Sequence, residues 1–302
     1  MCGGGEVIKR AVLILLSLLL LAGCTPKDVE SDKISIVTTL FPQYDFARQI
    51  AGDKGKVTLL LRPGAETHSF EPSPSDMIKI KECDLFIYTS KYMEPWAEKL
   101  ILGGGADGSS AWQAASGINH EKHGADIDAH VWTNPQNAIL MAENILRALC
   151  TVDAENADYY TENYNAYIEK LSFLDGEFEQ VIDEASVKKM VFGTKFSLHY
   201  FAERYSLSHM SAFDSCGHEG EPSGKVMKDI IETVKNEKIP AVFYGEMEST
   251  KVAETIAKET GAKTLLFHSC HNVTKEEFES GETYISLMEK NLEALKEGLY
   301  ND

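Results

Sequence analysis

Short apolar runs alternate along the chain with stretches whose apolar residues fall at helical spacing. From residue 34, "ISIVTTL" is β-branched and apolar, and "PQYDFARQIAG" then carries a helical pattern that closes on glycine. "KVTLLL" and "DLFIYTS" read as the next strands. "SPSDMIKIKEC", which opens on Ser and Pro, and "NPQNAILMAENILRALC" read as helices. After residue 186 the same rhythm resumes. "KKMVFGT", "IPAVFYG" and "AKTLLFH" are strand-like; "SLHYFAERY", "GKVMKDIIETVKNEK", "STKVAETIAKETG" and the closing "TYISLMEKNLEALKEGLY" are helical. Continuous apolar strands between helices predict parallel sheets covered on both faces. Between the two regions, Tyr160, Tyr164, Tyr167, Leu171, Leu174, Phe178 and Val181 recur at spacings of three and four without an intervening proline. One helix of about thirty residues, roughly 45 Å long, is expected there. The predicted architecture is α/β, with two lobes, each a mainly parallel sheet flanked by helices, joined by one long spine helix. The expected bounds are 34–152 for the first lobe, 153–186 for the linking helix and 187–302 for the second lobe.

The first residues stand outside this rhythm. Lys9 and Arg10 precede the apolar run "AVLILLSLLLLA" and then Gly23 and Cys24, the order of a secretory leader. The junction "LAGC" resembles a bacterial lipobox, so residues 1–23 are expected to be a signal peptide and Cys24 the lipidated residue. Polar residues 24–33 then read as a tether, which places the body at the cell membrane on its extracytoplasmic face. The net charge of −18, with no basic cluster, argues against nucleic acid as a partner. Of six cysteines, Cys2 and Cys24 belong to the leader region, and the other four are too scattered for a disulfide framework. Cys83 and Cys150 read as small buried residues.

Among nine histidines, His68 follows the strand "KVTLLL", His130 precedes a helix in "DAHVWTNP", and His268 ends the strand "AKTLLF". Ligands of open α/β sheets gather at the carboxyl ends of strands, so these histidines can meet in a cleft between lobes. Imidazole suits zinc and other late first-row metals. The stretch "NHEKHGADIDAH" adds His120, His123, Asp126 and Asp128, either as a solvated loop or as a loop that collects metal near the cleft.

Several segments resemble the cluster A-I substrate-binding proteins of metal-importing ABC transporters, the zinc and manganese receptor family. They are "IVTTLFPQYDFARQIAGDK", "LLLRPGAETHSFEPSPSD", "YMEPWAEKL", "DAHVWTNPQNA", "YFAERYSL", "EGEPS", "AKETGAKTLLF" and "SLMEKNLEALKEGL", in family order across most of residues 34–300. The resemblance implies two α/β lobes on a long helix, no enzymatic activity, and an ABC transporter membrane permease as partner of a monomeric receptor. It also implies His68 and His130 as the first two metal ligands.

The third ligand position of the family, five residues before "YF", is occupied by Lys195. An ammonium about 4 Å from a divalent ion would repel it by ~8 kcal/mol at an effective dielectric near 20. The family's fourth position, after the last strand, corresponds to His268 in "FHSCHN". The expected set is therefore His68, His130 and His268, completed by His199, Cys270, His271 or water. Cys216 and Cys270 could instead be bridged. A nitrogen-rich set favours Zn²⁺ over Mn²⁺ as the transported ion. Alternatives are a manganese or iron receptor of the same family, a surface adhesin lipoprotein, or an extracellular zinc hydrolase. No His-Glu-x-x-His helix and no nucleophile elbow support the last.

Overall fold

The computed structural model describes residues 33–67, 70–106, 110–123, 126–213 and 222–300. The expected leader and Cys24, together with His68, Cys216 and His218, lie outside the described residues.

The first sheet has strands β1 (Ile34–Thr38), β2 (Gly55–Leu59), β3 (Leu85–Tyr88) and β4 (Ala111–Gln113), in the order β2-β1-β3-β4 and all parallel. Helices α1 (Phe41–Ala51), α2 (Pro74–Glu82), α3 (Pro95–Leu102) and α4 (Pro135–Val152) accompany it, with a small antiparallel pair, β5 (Lys122–His123) and β6 (Asp126–Ile127). The second sheet has β7 (Lys189–Lys195), β8 (Ser208–Phe213), β9 (Ala241–Tyr244) and β10 (Lys263–Leu266), again parallel, in the order β10-β9-β7-β8. Its helices are α6 (His199–Arg204), α7 (Gly224–Asn236), α8 (Lys251–Thr260), α9 (Lys275–Ser280) and α10 (Tyr284–Gly298). In each sheet the chain steps to one neighbour and then returns to the other side. The crevice that this reversal leaves at the carboxyl ends is where such folds hold ligands.

Local chemistry explains the helix starts. Ser73 caps α2 reciprocally with Asp76, Thr274 caps α9 with Glu277, and Asn134 caps α4 ahead of Pro135. Each arrangement satisfies backbone N–H groups that a first helical turn leaves open.

The linking helix, α5, spans Ala157–Glu184, 28 residues, and begins after a 3-10 turn at Ala154–Asn156. It is thus slightly shorter than the sequence periodicity predicts. Tyr160, Tyr167, Leu171, Leu174 and Phe178 form its buried stripe. A single apolar core runs from Ile36 and Ile87 of the first sheet past this stripe to Phe192 and Phe243 of the second. Asp175 sits in that seam, where Gln136 Nε2 (2.6 Å), Arg204 Nη2 (2.8 Å) and Tyr205 Oη (2.6 Å) donate to its carboxylate. A buried charge with three donors can stay ionised, and here it ties α4, α5 and the end of α6 together. No helix among the described residues is long and apolar enough to cross a membrane.

Two edge strands, β4 and β8, and the short helices α3 and α9 were not among the elements expected from periodicity. β4 is three half-buried residues, too few to display a period.

Candidate metal centre

A cavity of about 320 Å³ opens between the lobes, with His130, His271, Lys195, Glu246, Glu248 and Thr67 among its lining residues. The first lobe contributes His130 from the turn ahead of α4 and the loop that follows β2. The second contributes the ends of β7 and β9 and the segment after β10.

His130 and His271 meet here edge to face, their ring centroids 4.9 Å apart. His130 is 5% exposed, and its Nδ1 lies 2.6 Å from Asp128 Oδ1, which also accepts the His130 backbone N–H at 2.9 Å. The carboxylate fixes the proton on Nδ1, which leaves Nε2 as the lone-pair donor, the arrangement that metal-binding histidines commonly adopt. Burial acts to raise the Asp128 carboxyl. Hydrogen bonds from the His130 and His199 rings outweigh it and hold the group far below the usual carboxylate range.

His271 is fixed from three sides. Trp132, two residues after His130, packs its ring 5.2 Å from His271 and donates Nε1–H to the Ser269 carbonyl at 2.9 Å. Asn272, fully buried, donates to the carbonyls of Arg62 (3.0 Å) and Ala65 (2.8 Å), and Gly64 N–H donates to the Val273 carbonyl at 2.8 Å. Gly64 has φ +78°, a conformation open to glycine at little cost, and this lets the loop after β2 turn back onto the second lobe. The loop leading to His68 and the loop carrying His271 are thereby stapled together, and Thr67, next to His68, lines the cavity.

The other expected positions lie elsewhere. His268 is 2% exposed and turned into the second lobe: its Nδ1 accepts the Cys270 N–H at 2.8 Å, and its Nε2 lies 3.7 Å from Glu277 Oε2. Burial acts to lower the His268 pKa, but the Glu246 and Glu277 carboxylates more than offset it and the value is raised. Cys270 is a free thiol, fully buried, with φ +58°. Burial pushes its thiol well above the ordinary range, the reverse of what a thiolate ligand needs. Along Ser269–Cys270–His271 the residues alternate, so Ser269 and His271 reach the cleft while His268 and Cys270 enter the core. His199 does not line the cavity; its Nδ1 lies 3.0 Å from Asp128 Oδ2.

Lys195, at the family's usual ligand position, does line the cavity, near Glu246 and Glu248. Glu246 accepts from Ser269 N at 2.8 Å and from the Ser269 hydroxyl. Burial raises the Glu248 carboxyl despite a hydrogen bond from the Lys195 backbone N–H. Among the described residues, no three His, Cys, Asp or Glu side chains stand together as a ready metal cluster. The third imidazole expected at this cleft, His68, is outside them.

The segment "NHEKHGADIDAH", expected as a solvated or metal-collecting loop, is partly buried at both ends. Asp128 is 9% exposed, and the His120 ring rests on Tyr92 with centroids 4.7 Å apart. The sequence signal that could have singled out Asp128 is its position two residues before His130, in a loop otherwise read as polar surface.

Known proteins resemble this chain over most of its length. "Zinc-binding lipoprotein AdcA" of Streptococcus pneumoniae serotype 4 is 33% identical over 307 residues, covering 96% of this chain and 61% of the relative. The chain thus spans about three-fifths of that relative's length. "High-affinity zinc uptake system protein ZnuA" of Bacillus subtilis is 33% identical over 287 residues, covering 90% of this chain and 89% of the relative. The solved Zn(II)-bound ZnuA-like domain of S. pneumoniae AdcA superposes with a TM-score of 0.78 at 34% identity, over 89% of this chain and 100% of the domain. Residues 36–298 match the family described as "Zinc-uptake complex component A periplasmic", and the chain belongs to this ZnuA family.

Proposed function

We propose that this protein captures zinc outside the cytoplasm and delivers it to the membrane permease of an ABC importer. The observation that carries the reading is the pair His130 and His271, one from each lobe, whose rings meet edge to face at 4.9 Å in the interlobe cavity. His68, adjacent to the cavity-lining Thr67, completes a set of three imidazoles in this reading. His271 takes the place that the sequence suggested for His268. Neutral nitrogen donors suit zinc better than manganese, which prefers oxygen. The zinc-binding and zinc-uptake relatives point to the same ion. Residues 34–152 and 187–302 act as the two lobes, with 153–186 between them, and Cys24 serves as the lipid anchor after removal of residues 1–23.

Capture needs no chemistry. Each imidazole must be neutral to donate, so zinc affinity falls in acid. The stapled loops and shared core leave little room for wide hinge motion, so loading acts through local adjustment at the cleft. The test is metal content after dialysis of the purified protein against mixed Zn²⁺, Mn²⁺ and Fe²⁺, beside a His130→Ala, His271→Ala variant. Stoichiometric zinc in the parent that is lost in the variant is expected. A parent that retains no zinc would overturn the reading.

A further inference from the structure

His199 belongs to the second lobe, yet its Nδ1 meets a carboxylate of the first. Asp128 Oδ1 is taken up by His130, through Nδ1 at 2.6 Å and the backbone N–H at 2.9 Å. Oδ2 accepts from His199 Nδ1 at 3.0 Å, and among the described residues no other donor to Oδ2 is found. The Asp128 side chain is 5% exposed. A carboxylate held through one oxygen can rotate; held through both, it presents Oδ1 to His130 in one orientation.

The grip extends beyond one bond. Tyr200, the next residue of α6, donates its hydroxyl to the Asp128 carbonyl at 3.0 Å and accepts the Glu121 N–H at 2.8 Å. The first turn of α6 thus clasps both ends of the segment 121–128. The His199 ring stands perpendicular to the stacked pair Phe196 and His209, with centroids 5.0 and 5.1 Å away.

We propose that His199 is a positioning residue for the metal: from the second lobe it locks the Asp128 carboxylate that orients His130, without binding the ion itself. One carboxylate shared by two imidazoles from two lobes makes the donor geometry of His130 depend on the register between lobes. This rests on the cleft being the zinc site.

The test compares the intact protein with His199→Ala and His199→Asn. Zinc affinity is read by chelator competition and coordination by the visible spectrum of the cobalt-substituted protein. An asparagine amide nitrogen stands where Nδ1 does and can still donate to Asp128. Loss of the carboxylate behind a metal-bound histidine commonly weakens metal binding by about 10–100-fold, and His199, one contact further out, falls at the lower end, about 10-fold. That loss is expected for His199→Ala with an unchanged cobalt spectrum, and His199→Asn should recover most of it. Affinity within about twofold of the parent in His199→Ala would overturn the proposal. So would a cobalt spectrum showing one nitrogen donor fewer, or equal losses in both variants, since each would mean that the imidazole is itself a ligand. If the unmodified protein binds no zinc, the metal reading fails and this role fails with it; tight binding by His199→Ala removes only the role of His199.

Discussion

Trp132→Phe isolates the device that connects the two lobes behind the metal cleft. Trp132 is fully buried, its Nε1–H reaches the Ser269 carbonyl at 2.9 Å, and its ring centroid lies 5.5 Å from His130 and 5.2 Å from His271. Its own carbonyl accepts the Tyr284 hydroxyl at 2.6 Å, so the backbone is held independently of the side chain. Phenylalanine keeps an aromatic ring in place but removes the donor. A lost bond of this kind costs about 1 kcal/mol, and about 1–3 kcal/mol when the acceptor left behind is buried. Ser269 is 7% exposed, which puts this case toward the upper part of that range. The smaller ring leaves a gap of roughly 40 Å³, which adds ~1 kcal/mol at about 24 cal/mol per Å³. A total near 2–4 kcal/mol corresponds to a melting midpoint lower by roughly 3–7 °C for a chain of this size. Because the bond anchors the segment that presents His271, zinc affinity should fall as well. The assay pairs calorimetry of the metal-free protein with a competition titration for zinc. If the midpoint falls as expected but affinity stays within twofold, Trp132 only fills space and the argument that it positions His271 is refuted.

Two further outcomes follow from the second lobe. A Cβ at Gly193 would stand 2.5 Å from the backbone N and Cα of Ala253, which a helix cannot yield without moving. Gly193→Ala should therefore cost about 1–3 kcal/mol and push α8 away from β7; an unchanged urea midpoint would contradict that close approach. The His268–Glu277 pair predicts a pH window. The His268 ring is the main influence that holds Glu277 down at about 2, below its ordinary 4.5, so that contribution is present above 4.5 and lost as pH falls toward 2. His268 is raised above its ordinary 6.5, so its contribution is full below 6.5 and lost as pH rises through the folded value. Glu277→Gln should destabilise the metal-free protein most between about pH 4.5 and 6.5 and progressively less on either side. Equal loss across the whole range would mean that the carboxylate acts only as a helix cap.

The strand and helix alternation, the long linking helix and the position of His130 could all be read from the residues, because each depends on local periodicity or on a compact motif. The Tyr160–Phe178 stripe faces the core wherever a helix of that period is formed. The edge strand β4 could not be read, because three half-buried residues carry no period and pairing with β3 is what makes them a strand.

The same division holds within the site. "FHSCHN" places three candidate donors within four residues, and nothing in their order says which of them faces the cleft. Tertiary structure decides it. The backbone turns through φ +58° at Cys270, Trp132 holds the Ser269 carbonyl, and Asn272 is clamped to the loop after β2; His271 is left in the cleft and His268 against Glu277. Asp128 reads as one more acid in a polar loop until Tyr200 and His199, about seventy residues later, close over it. By itself the sequence determined the fold class, the family and the nitrogen-rich chemistry, which follow from residue type and spacing. Which imidazoles converge, and which carboxylate stands behind them, was decided by contacts between lobes that only the folded chain brings within hydrogen-bond reach.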